Sequence, residues 1–110
     1  MADHFYIVQG DLLPAIPVQA LNGDGTAVDL TTAAVTFSMK NRSTLAVKVD
    51  DGVAIVTDGA TGRVEYRWTG TDTDTAGQFA GEFTATIAGK TFTIPGADFI
   101  YVHIRPKANP

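Results

Sequence analysis

Hydrophobic and polar positions alternate with period two along most of the chain, most clearly over residues 63–68. There Val64, Tyr66 and Trp68 fall on one side, and Arg63, Glu65 and Arg67 on the other. Successive side chains of a strand point to opposite faces, so this pattern predicts a half-buried antiparallel strand. Three stretches repeat it. Residues 34–40 set Val35, Phe37 and Met39 inward against Thr36, Ser38 and Lys40. Residues 78–87 set Phe79, Phe83, Ala85 and Ile87 against Glu82, Thr84 and Thr86. Residues 99–105 set Ile100, Val102 and Ile104 against Tyr101, His103 and Arg105. Weaker patterns predict strands over 5–8, 16–21, 45–49, 53–57 and 91–94.

Turn residues separate these runs: Gly23-Asp24-Gly25, Asp51-Gly52, Asp58-Gly59, Ala88-Gly89-Lys90 and Pro95-Gly96. No window carries a helical stripe. About nine short strands with frequent turns predict an all-β domain, either a β-sandwich or a small barrel. At 110 residues the chain has room for one domain. The expected ordered core runs over residues 4–105, with a frayed tail at 106–110. Pro14 and Pro17 cannot donate to a ladder, which makes the second strand an edge. That edge is either blocked against stray pairing or used for docking through Leu12, Leu13, Pro14, Ile16 and Pro17.

Composition removes several functions. A net charge of −4 with scattered Lys and Arg gives no basic stripe for nucleic acid. The absence of cysteine excludes disulfides and thiolate zinc sites. The N-terminus does not have the form of a secretory signal, and no apolar run reaches the ~20 residues of a membrane helix. The expectation is a soluble chain made in a cytoplasm, with no membrane and no cofactor. Ten aspartates against two glutamates, and fifteen threonines, fit turns and strand surfaces rather than an acidic function.

A nucleophile with a base and an orienting group is not legible, since Ser38 and Ser43 sit in no motif that would activate them. His4 and His103 lie near opposite ends, on terminal strands that could be neighbours, with no carboxylate pattern attached. The reading is therefore non-enzymatic. Calcium is the remaining chemical alternative: Asp24 and Asp29 in one stretch, and Asp72 and Asp74 in another, offer oxygens at the alternate spacing such sites use. Asp-rich turns produce the same spacing. Residues 70–83, "GTDTDTAGQFAGEF", read as a structural corner, with Asp and Thr side chains capping backbone N–H groups and Phe79 buried behind them. Ig-like sandwiches pin a comparable corner with a tyrosine, and Phe79 has no hydroxyl to offer.

Three stretches, "IVQGDLLPAIPVQALNGDGTAVDLTTAAVTFSMKN", "GRVEYRWTGTDTDTAGQFAGEFTATIAGKTFTIP" and "FIYVHI", resemble the baseplate-upper-protein N-terminal family of tailed phages and prophages. The similarity spans most of residues 5–104, departing at Thr32 and at Phe79, where tyrosine is usual. The resemblance implies an Ig-like antiparallel β-sandwich of about seven to nine short strands. It also implies a virion building block at the tail or baseplate, oligomeric in the particle, with other virion proteins as partners. With only this module present, a connector, adaptor or decoration role is expected ahead of host recognition. Docking would use the 12–18 edge and the Tyr101, His103 and Arg105 face. Two alternatives stay open, a capsid decoration or head-fibre base protein and a carbohydrate-binding module. For the latter, Trp68 lies in phase with the core instead of outside it.

Overall fold

The computed structural model describes residues 3–94 and 99–108. Among them are nine strands and no helix: β1 Asp3–Val8, β2 Ile16–Gln19, β3 Ala34–Asn41, β4 Val47–Val53, β5 Ile55–Asp58, β6 Arg63–Tyr66, β7 Gly77–Ile87, β8 Lys90–Ile94 and β9 Ile100–Arg105. A six-stranded sheet has the order β1-β9-β7-β3-β4, with β8 also paired to β7. A three-stranded sheet has the order β2-β6-β5. Together they make a sandwich-like arrangement. One pair departs from the antiparallel expectation: β1 runs parallel to β9, because the two ends of the chain meet side by side in the same sheet.

The alternation read from the sequence becomes the core. Val35, Phe37 and Met39 of β3, Phe79 and Phe83 of β7, and Ile100, Val102 and Ile104 of β9 all face the second sheet and are buried. Val64, Tyr66 and Trp68 answer from the other side. Phe37 is the meeting point: its ring lies 4.9 Å from Tyr66, 5.7 Å edge-on from Trp68 and 4.8 Å from Phe83, centroid to centroid. Aromatic pairs in this range add specific geometry to the burial of large apolar surface. Gly81 makes the packing possible, because a Cβ there would come within 2.9 Å of the Phe37 ring. Ile87 corrects the expected core list, since it is only half-buried where β7 runs out towards its hairpin with β8.

Two predicted boundaries move. Asp51-Gly52 is not a turn but an irregularity inside β4, where the register against β3 shifts and Asp51 takes φ 52°. Gly52 lies under Tyr66, and a Cβ there would come within 2.6 Å of that ring. The glycine is needed for close approach to the core, and at Ala54 the chain passes from the larger sheet into the smaller one. Leu45 is likewise outside its predicted strand, at φ 63° in the β3–β4 turn. The Ala88-Gly89 turn stands as read: both residues have positive φ and join Ile87 to Lys90. Pro95-Gly96 and the last two tail residues lie outside the described residues.

Candidate functional site

The apolar segment before β2 divides into an inside and an outside. Leu12 is 44% and Leu13 79% exposed, and Pro14 and Pro17 also face solvent. Ile16 corrects the docking expectation: it stands opposite Tyr66 in the β2–β6 register, on the inner face, and is 1% exposed. Period two takes it inward while its neighbours stay out. β2 is an edge, paired to β6 alone. The segment is anchored from beneath, where the Trp68 indole N–H donates to the Pro14 carbonyl at 3.0 Å. Further apolar surface that the sequence reading did not single out lies at Val47 and Val53, near the ends of edge strand β4. Val53 lies across the irregularity at Asp51-Gly52 from buried Val49, and Val47 lies across a second register shift, opposite Met39 and Lys40 of β3.

The Tyr101, His103 and Arg105 face is built differently. β9 is an inner strand, between β1 and β7, and presents these three side chains on the outer surface of the larger sheet. The parallel register sets His4 opposite Tyr101 and Tyr6 opposite His103. His4 Nδ1 and His103 Nε2 then meet at 2.8 Å, with ring planes within 18° of each other. At that distance one nitrogen donates and the other accepts, so the pair as drawn is not doubly protonated. Tyr6 lies 4.7 Å over His103 with nearly parallel planes, and Tyr101 lies 5.6 Å from His4. At the far end the Arg42 guanidinium caps Tyr101 at 4.3 Å and donates to Gln78. Desolvation, followed by the nearness of His4 and of Arg42, holds the His103 pKa below its ordinary value.

The four aspartates weighed as calcium ligands are each engaged locally. Asp24 accepts from Thr26 and Asp29 from Thr31, through both backbone N–H and hydroxyl, which holds both carboxyls below their usual range. Asp74 pairs with Lys48. Asp72 accepts from the Thr69 backbone at 2.9 Å and from the Tyr66 hydroxyl at 2.6 Å. These contacts do not gather them: among the described residues no three His, Cys, Asp or Glu side chains form a group able to hold a metal.

Asp72 also corrects the account of the corner. A tyrosine hydroxyl does pin it, from Tyr66 on β6 and not from position 79. Burial, then the Asp72 contact, pushes the Tyr66 pKa up to about 12. Thr73, 1% exposed, closes the corner by donating to the Asp11 carbonyl at 2.8 Å. Ser38 exchanges hydrogen bonds with Asp51, accepting from its N–H at 2.9 Å, and has no histidine as partner. The arrangement offers surface contact, shared protons and rings. Comparison with family models returns no match, and none is found among curated proteins.

Proposed function

We propose that the chain is a non-enzymatic structural protein of a tailed phage or prophage particle. It acts at the tail or baseplate as a connector or adaptor, through protein–protein contacts. The observation that carries this reading is the Leu12–Leu13–Pro14 segment, apolar and turned to solvent beside the β2 edge, with Leu13 79% exposed. Apolar surface of this kind is stabilised when a partner covers it, and the Trp68–Pro14 hydrogen bond holds the segment against the core. The resemblance to baseplate proteins supports the same reading. A glycan-binding module is less well supported, because Trp68 is 3% exposed and cannot present a sugar platform.

Antibody–gold labelling of particles from the source, viewed by electron microscopy, tests the proposal. Gold at the tail tip is the expected result. Gold over the head or neck would keep the structural class and move the role to capsid decoration or head-fibre attachment. Particles without label, with the epitope shown accessible, contradict the reading.

A further inference from the structure

Basic side chains collect on the outer face of β1 and β9 although the chain as a whole carries a net charge of −4. Arg42 stands over Tyr101 at 4.3 Å, Tyr101 is beside His4, and His4 meets His103 at 2.8 Å. Arg105 continues the line, sharing with His103, Tyr6 and Val8 the walls of a shallow depression. Among the described residues, none of these four basic groups has a carboxylate within ion-pair distance. The ion pairs among the described residues are Lys48–Asp74, Arg67–Glu65 and Lys107–Asp11. Arg42 instead donates to Gln78, and Arg105 to the Pro106 carbonyl.

We propose that this face binds a carboxylate-rich peptide segment of a partner protein, and that binding takes up protons at the His4–His103 pair. The partner class rests on the assembly reading above; the charge argument does not. A positive strip is attractive to an anion and unfavourable to leave unneutralised beside further positive charge. The strip also lies along strands β1 and β9, so an extended segment can run over it with successive carboxylates reaching successive bases.

The proton linkage follows from what surrounds the pair. From β1 it is faced by Tyr6, from β9 by Tyr101 and Arg105, from β7 by neutral Gln78, and from just beyond β3 by Arg42. Glu82, further along β7, opens with Lys40 and Asp50 on a separate depression. With no carboxylate paired to these groups among the described residues, a second proton places two imidazoliums in contact beneath two arginines. A bound carboxylate offsets that repulsion, so the occupied face holds more protons than the free one, and by linkage affinity rises as pH falls.

The test uses the purified chain and a fluorescein-labelled oligoglutamate peptide, read by anisotropy at low salt, where such contacts are least screened. Affinity should exceed that for oligoserine and should tighten about tenfold between about pH 7.5 and about pH 5.5. The double variant His4→Gln/His103→Gln should keep binding at the higher pH and lose the tightening. Arg42→Gln/Arg105→Gln should weaken binding at both. Oligoglutamate binding no better than oligoserine overturns the proposal, as does native binding that ignores pH. Variants that melt like the native chain and bind like it also overturn it; should a variant not fold, the native chain's two comparisons decide. Because the assay uses the free chain, failure here with gold on the tail tip would remove only this face, and binding here with unlabelled particles would remove only the virion reading.

Discussion

At the corner after β6, Tyr66 donates its phenol proton to Asp72 at 2.6 Å, with the tyrosine 4% exposed. On the outer face of the other sheet, His4 and His103 share a proton across 2.8 Å, with His4 exposed to water. Both are ring-and-hydrogen-bond clusters joining parts of the chain that would otherwise separate. The first has a single workable protonation state over the physiological range, since burial pushes its phenol up to about 12. The second lies on the outer face, where desolvation and the nearness of His4 and Arg42 hold the His103 pKa below its ordinary value. Burial turns the same kind of contact into a structural pin, and exposure leaves it free to respond to a partner.

The largest effect that can break this contrast lies under the pin. Trp68 is 3% exposed, packs edge-on against Phe37 and Tyr66, and donates to Pro14. Trp68→Ala is expected to cost about 3–5 kcal/mol in urea unfolding, enough to unfold a marginal domain. A cost under about 1 kcal/mol would show that the β6 phase does not carry the core.

Asp72→Ala should come next, at about 1–3 kcal/mol, because it leaves the Tyr66 hydroxyl unpaired in a buried site. The alkaline limb sharpens the point. Tyr66 has a folded pKa of about 12 against 10.0 for the free side chain. Its contribution is therefore fully present below pH 10.0 and is lost as pH rises from there towards about 12. Urea midpoints measured across that window should fall more steeply in the native chain than in Tyr66→Phe. Equal slopes would remove the tyrosine from the corner's energetics.

The smallest effect belongs to the outer face. His103→Gln should change stability by less than about 0.5 kcal/mol at neutral pH. In acid the sign is fixed by the direction of the shift. A His103 pKa held below its ordinary value means the folded chain resists protonation. The stability linked to it is complete above pH 6.5 and declines as pH falls through that value. The variant should flatten that decline, as chemical denaturation at a series of pH values would show.

The strands were legible because alternation survives loss of exact boundaries: Val64, Tyr66 and Trp68 stay buried although the pairing of β6 ends at Tyr66. Asp51-Gly52 was not, because a glycine placed for close approach of the Tyr66 ring looks the same in sequence as one placed for a turn. Period two placed Tyr66 inside but said nothing of where its hydroxyl would end. The same period takes Ile16 of β2 inward, opposite Tyr66. Proximity of His4 and His103 was legible from two terminal strands; their contact was not, since it depends on a parallel register that pairs Tyr6 with His103. Arg42 had no signal at all, reaching the face from the turn after β3.

That the outer face serves assembly is tested most directly by replacing Tyr6, 69% exposed beside His103, with a photo-crosslinking aromatic residue in particles assembled from the variant chain. Illumination is predicted to join the chain to a second virion protein, through a peptide rich in Asp and Glu. Particles that contain the variant but yield no adduct at position 6, while the same residue placed at Leu13 does crosslink, would contradict the assignment of this face.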